Sequence, residues 1–270
     1  MKACWLALLA LVMGGAPLSA QPQRVVTVNL CLDQLALRLA APGQLVGISY
    51  LSHDPRISVL VDRARKVPTV RARVEHILDL RPDLVIFDSL SHANIKRLVR
   101  KAGVAILEVP WAASLEDAET LISRIGAALG RDAEAQALIE AMHEQRQRLI
   151  WRGPPTGTAV VLQPNRGTTG KGSLMDELLR LGGFRNLAAE LGVPAYGRLS
   201  LEQVLAGEPD LLVLDAAANA YPARATEFVG HHALASLADR TRLLSVPLKY
   251  SVCAGPENFE VLRLLATAHR

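Results

Sequence analysis

A chain of 270 residues, half of them hydrophobic and 21% charged, has room for two lobes of ordinary size and is too apolar to be disordered as a whole. Lys and Arg number 30 against 26 Asp and Glu, a formal charge of +4 with the arginines scattered, and only 4% of residues are aromatic. That excludes a basic stripe with stacking side chains, so nucleic acid is not an expected partner. The first twenty residues, MKACWLALLALVMGGAPLSA, place Lys2 before an apolar run from Trp5 to Met13 and small residues up to Ala20. The run is too short to span a bilayer, and the pattern predicts a secretory signal (residues 1–20) with a periplasmic mature protein. Cys4 precedes the apolar run, which is the wrong place for an acylated lipoprotein cysteine.

Beyond the signal, Arg24 to Asn29 is a β-branched apolar run and predicts a buried strand. Leu30, Leu32, Leu35 and Leu39 fall at helical spacing up to Pro42-Gly43, and Leu45 to Ser49 reads as the next strand. A short helix from Val74 to Leu80, a strand from Leu84 to Asp88, a helix from Ile95 to Ala102 and a strand from Val104 to Val109 follow. Strands alternating with helices predict a mainly parallel sheet covered on both faces. Ser114 with Asp117 opens a helix that Gly130 ends, and Asp132 to Trp151 predicts one long helix, roughly 30 Å, acting as a rigid strut. The second half keeps the same alternation, with a strand from Thr158 to Gln163, a Ser173-capped helix to Leu181, and a Ser200–Gln203 capped helix. Strands at Leu211–Asp215 and Arg242–Val246 and a closing helix from Glu257 to His269 complete it.

One stretch occurs twice. VEHILDLRPDLVIFD, from Val74 to Asp88, returns as LEQVLAGEPDLLVLD, from Leu201 to Asp215, with Glu75 on Glu202, Pro82 on Pro209, Asp83 on Asp210 and Asp88 on Asp215. A single recurrence at long range predicts two similar lobes, not a solenoid.

These residues, together with VVTVNLCLDQLALRL…LVGISYLSHDP at the start and GSLMDELLRLGGFRNLA later, resemble the periplasmic substrate-binding proteins of ferric-siderophore, haem and cobalamin ABC importers. The likeness runs over about residues 24–268. It implies an α/β fold of two Rossmann-like lobes, residues 21–130 and 153–270, joined by one rigid helix at 131–152, with the ligand in the cleft between them. It implies a monomer that hands a metal chelate to an inner-membrane ABC permease, with no cofactor of its own and metal only inside the chelate. A ferric siderophore is the first expectation, cobalamin or haem the next. Glu75 and Glu202 match the glutamates that dock such proteins on the permease. An acid in the first turn of a helix is also stabilised by the helix dipole, so a purely structural role stays open for both.

In open α/β lobes the loops leaving the carboxyl ends of the strands line the site. The expected ligand contacts are therefore Cys31, Tyr50, His53, Ser89, His92 and Trp111 from the first lobe. From the second they are Gln163, Asn165, Arg166, Tyr196, Arg198, Tyr221, Lys249, Tyr250 and Cys253. The aromatics suit a large flat chelate, and Arg166, Arg198 and Lys249 suit carboxylate or catecholate charge. Trp111 as a core plug and the tyrosines as rim residues remain the alternatives. Cys31 and Cys253 carry three readings: buried inert thiols, soft contacts to a bound metal, or a disulfide across the cleft. Two other functions compete. A bare transition-metal ion would need converging His and carboxylates, and the histidines are scattered. An enzyme would need a motif, and there is no nucleophile elbow, H-E-x-x-H or dinucleotide fingerprint. PNRGTTGKG lacks the phosphate-loop spacing.

Overall fold

Hydrophobic alternation builds the first lobe from its central strand outward. In the computed structural model, which describes residues 21–215 and 240–269, β1 (Val25–Thr27) is buried on both faces. Val25 points into one apolar cluster and Val26 into another, as the two-residue period of a strand requires. The segment read as a signal and Tyr221 lie outside the described residues.

Asn29 caps α1 (Leu30–Leu39) by accepting from the Cys31 amide at 2.8 Å. There follow β2 (Leu45–Ser49), a short α2 (Val61–Ala64), β3 (Thr69–Val70), α3 (Val74–Asp79), β4 (Leu84–Asp88), α4 (Ala93–Lys101) and β5 (Ala105–Val109). The five strands form one parallel sheet in the order β3-β2-β1-β4-β5. The order reverses between β1 and β4, which opens a crevice at their carboxyl ends.

Ser114 accepts from the Asp117 amide to start α5 (Leu115–Leu129), and Gly130 ends it in the left-handed conformation. α6 (Asp132–Leu149) is the long connecting helix, 18 residues or about 27 Å. It lies against α5 so closely that a Cβ on Gly126 would sit 2.4 Å from the Ala135 side chain. The second lobe runs β6 (Gly157–Leu162), β7 (Gly167–Thr168), α7 (Leu174–Leu181), β8 (Phe184–Asn186), α8 (Leu187–Glu190), β9 (Gly197–Arg198) and α9 (Leu201–Ala206). β10 (Leu211–Asp215), β11 (Arg242–Val246) and α10 (Asn258–Thr267) finish it. Its parallel sheet has the order β11-β10-β6-β8, and β7 pairs antiparallel with β9 as a separate two-residue ribbon.

The inner halves of the two lobes share one core. A continuous cluster runs from Leu32 and Leu35 on α1 through Ile122 and Ile125 on α5 and Met142 on α6 to Leu178 on α7 and Leu262 on α10. Smaller clusters around Phe87 and around Leu162 cover the outer face of each sheet.

The repeated helix–turn–strand now has a physical reason. Arg81 and Glu208 both take a positive φ, 46° and 40°, to turn the chain from helix to strand just before the proline. The aspartates that follow do the same work in each lobe. Asp83 accepts from the backbone amides of Gln23 and Arg24, at 2.7 and 3.0 Å, and Asp210 from that of Thr158 at 2.7 Å. Each ties its own lobe's first strand to the neighbouring strand of the repeat, β4 or β10.

Candidate functional site

The carboxyl ends of both sheets face a common cleft. On the first lobe, β5 delivers Trp111, which remains 42% exposed. Beside it, Asn29 donates from Nδ2 to Asp88 at 3.3 Å. Asp88 is itself fully employed, accepting from the Leu90 and Ser91 amides and the Ser91 hydroxyl. Burial alone would raise the Asp88 carboxyl, but the bonds from Ser91, Asn29 and Leu90 outweigh it and hold it below the usual carboxylate value. Lys96 is buried and donates to the Asp88 and Ser89 carbonyls and to Glu108. This wall is braced by its charges and does not present them to the cleft.

On the second lobe, Gln163 ends β6 and a tight turn at Pro164–Arg166 follows, with Asn165 and Arg166 both in the left-handed region at φ 57° and 60°. The chain then passes Gly170, where a Cβ would meet the Val193 and Pro194 carbonyl oxygens at 2.1 and 2.6 Å. Only glycine fits that crossing. Ser173 caps α7 by accepting from the Asp176 amide and donating to the Gly170 carbonyl, so the first turn of α7 faces the cleft. The resulting cavity is about 270 Å³. Trp111 closes it on one side, Gln163, Tyr196 and Leu248 on the other, and Leu174, Met175, Val213 and Val246 supply an apolar back wall. Thr169, Ser173 and Ser251 add hydroxyls, and no charged side chain is among the described residues of the lining.

Beneath lies a second cavity of about 20 Å³, lined by Asn29, Asp88, Trp111 and the Cys31–Cys253 pair. The two cysteines form a disulfide with Cα atoms 5.2 Å apart. They are therefore neither free thiols nor thiolate ligands, and the bond crosses from one lobe to the other. Among the described residues no group of three or more His, Cys, Asp or Glu is arranged to hold a metal ion.

Comparison with known proteins decides the family. The family described as "Periplasmic binding protein" matches residues 25–238. The chain belongs to that family. This periplasmic binding protein is 26% identical over 219 residues to the "Cobalamin-binding protein" of Halobacterium salinarum, covering 78% of this chain and 59% of that one. It is 24% identical over 204 residues to the "Uncharacterized ABC transporter substrate-binding lipoprotein YvrC" of Bacillus subtilis, covering 72% and 63%. It thus spans less than two thirds of either relative's length. Among solved structures it is similar to the "Periplasmic heme-binding protein BhuT in complex with two hemes", with a TM-score of 0.74, 22% identity and coverage of 92% and 99%. The periplasmic haem-binding protein HutB of Vibrio cholerae gives 0.74, 19%, 91% and 98%. These structures share its two-lobed fold. The relatives and the solved structures are named as binding proteins, in keeping with the family to which the chain belongs.

The periplasmic binding protein brings five of the residues expected from its sequence together in the cleft: Cys31, Trp111, Gln163, Tyr196 and Cys253. Others sit elsewhere. Tyr50 is exposed beneath the Arg71 guanidinium, 5.2 Å from its ring centre, and the His53 ring bonds the Ala64 carbonyl through Nε2 at 3.0 Å. Ser89 is exposed, and His92 takes a φ of 61° at the start of α4. Asn165, Arg166 and Arg198 are exposed outside the cavity wall. Lys249 lies 5.2 Å over the Tyr250 ring, and Tyr250 packs against the shared core. Thr169 and Ser251 lie in the loops expected at the cleft, Gln163 to Gly170 and Lys249 to Cys253, while Ser173, Met175 and Leu248 fall outside every expected loop. Of these three, Ser173 had a signal in sequence, as the cap of a helix that starts at a sheet's carboxyl edge.

Glu75 and Glu202 both occupy the second position of a short helix, one per lobe, and both are exposed. The Ser200 hydroxyl beside Glu202 holds its carboxyl below the usual value.

Proposed function

We propose that this protein captures a metal chelate of the flat macrocyclic kind, a corrinoid or a haem, in the periplasm and delivers it to an ABC importer. The carrying observation is a cleft with exposed Trp111 on one lip and exposed Tyr196 on the other, above an apolar wall free of charge among the described residues. Ring faces of that kind stack on planar macrocycles. At about 270 Å³ the cavity lies near the lower end of the ~300–1,000 Å³ typical for small-molecule sites. It takes one edge of the macrocycle, and the remainder stands between the two aromatic lips. Relatives whose names give cobalamin or haem as ligand support the same class. The siderophore placed first from sequence has less support, since Arg166 and Arg198, meant for its charge, stand outside the cavity.

Docking on a permease is the role that suits Glu75 and Glu202, which stand exposed at matching places on the two lobes where neither holds an ion-pair partner within the described residues. The test is a fluorescence titration of the mature protein with cyanocobalamin, haemin and a ferric catecholate, each also against Trp111→Phe. Saturable quenching by a macrocycle, lost in Trp111→Phe, supports the reading. Quenching by the catecholate alone, or by none of the three, refutes it. For delivery, Glu75→Gln with Glu202→Gln should bind unchanged yet fail to stimulate a reconstituted importer.

A further inference from the structure

Besides the shared apolar core and the bond from the Leu115 amide to Glu177, two contacts between the lobes run between the same two segments. Cys31, in the first turn of α1, is bonded to Cys253. Seven residues along α1, about two turns and ~10 Å, Arg38 meets Glu257 at 2.8 Å. Cys31 and Arg38 thus lie along one face of a first-lobe helix. Cys253 and Glu257 lie four residues apart on the segment that leads into α10, which packs on α6, α7 and β11. The ion pair is out of solvent, with side-chain exposures of 14% and 2%. Added to the shared core and the connecting helix, two anchors two helical turns apart hold α1 and the segment before α10 at a fixed spacing at the base of the cleft. The bond is also the floor of the site, because Cys31, Cys253 and Trp111 line the lower cavity and Trp111 continues into the upper one.

We propose that the Cys31–Cys253 bond and the Arg38–Glu257 pair form a two-point clamp that fixes the separation of the lobes, so that the cleft is a preformed slot that selects ligands by thickness and widens only on reduction. The clamp rests on contacts between the lobes; its bearing on ligand choice rests on the function proposed above. Cys31 is part-exposed and Cys253 buried, so a dithiol reaches the Cys31 sulfur. Its thiolate displaces the Cys253 sulfur and forms a mixed disulfide; its second thiol then closes on the first. Two electrons and two protons pass to the protein, leaving two thiols, and the dithiol departs as a cyclic disulfide.

The experiment measures lobe separation without ligand. Leu90 on the first lobe and Leu191 on the second, 77% and 46% exposed, are replaced by ketone-bearing phenylalanine analogues that carry spin labels without cysteine chemistry. Pulsed dipolar spectroscopy then compares intact protein with protein treated with dithiothreitol, each checked by far-UV circular dichroism. The expected result is one narrow distance distribution when oxidised and a longer, broader one when reduced, with unchanged dichroism. An unchanged distribution after reduction overturns the clamp. Loss of dichroism overturns it too, because the bond would then be holding the fold and not the spacing. Failure here is distinct from failure to bind a chelate, since no chelate is present.

Discussion

Asp33 offers the sharpest test of the energetics. It sits on α1 with no exposure and accepts from the Ser49 amide at 2.9 Å, the Ser52 hydroxyl at 2.6 Å and the Thr27 hydroxyl. Burial dominates those bonds and raises its pKa from 3.8 to about 7. The sign follows from proton counts. Between pH 3.8 and about 7 the folded protein keeps a proton that the unfolded chain has lost, so stability falls as pH rises through that window and levels off above it. The whole window is worth about 4 kcal/mol, of which about 2 kcal/mol falls between pH 5 and 7. Asp33→Asn removes the titration and keeps the shape. Its oxygen can still accept from Ser49 and Ser52, while its amide donates to the Thr27 hydroxyl in reverse. Equilibrium urea unfolding of the disulfide-intact proteins at pH 5, 6, 7 and 8 measures the effect. The stability of the wild type relative to Asp33→Asn should drop by about 3 kcal/mol from pH 5 to 8. Glu257, whose carboxyl is also raised by burial, slopes both curves alike and cancels in the difference. Parallel pH profiles would refute the assignment.

Arg38→Met should cost about 3–5 kcal/mol in the same urea assay, because it leaves Glu257 buried without its cation and with Oε1 already lacking a partner. Arg38→Met combined with Glu257→Leu should recover most of that loss, since an apolar pair needs no charge compensation. Gly170→Ala should lower the melting temperature and speed amide exchange at Thr168 and Thr169, because the new methyl meets two backbone oxygens that have no way to retreat without moving the chain. Unchanged exchange there would show that the crossing at Gly170 has room for a methyl after all.

Much of the scaffold could be read from local chemistry. α5, α7 and α9 begin at Ser114, Ser173 and Ser200 because each hydroxyl satisfies an otherwise orphaned helix amide. The repeated unit gave one interior strand of each lobe, β4 and β10, with its bounds. What stayed hidden was short or collective. β3, β7 and β9 have two residues each, too few for any period to register, and β8 and α8 fall in GFRNLAAEL with no turn signal between them. The cleft was half legible for a similar reason. Trp111 and Gln163 follow strand ends, where the topology sends ligand contacts, and Tyr196 stands just before β9. Met175, Val213 and Val246 look in sequence like any buried aliphatic residue, and only the tertiary fold separates cavity wall from core. The charged residues Arg166 and Arg198 were assigned to the site by loop position, yet their solvation keeps them outside it. The cysteines could be paired only in space, because nothing local links the start of α1 to the segment before α10.

That pairing has a consequence for how the protein is made. The chain is synthesised from its amino end, so Cys31 emerges long before Cys253, which is 222 residues later. Only Cys4 could meet it meanwhile, since the chain has three cysteines in all. If the first twenty residues are removed as their pattern predicts, Cys31 meets no other cysteine of this sequence until Cys253, 222 residues on, has appeared. The bond therefore marks completion. A molecule that carries it has brought both lobes together.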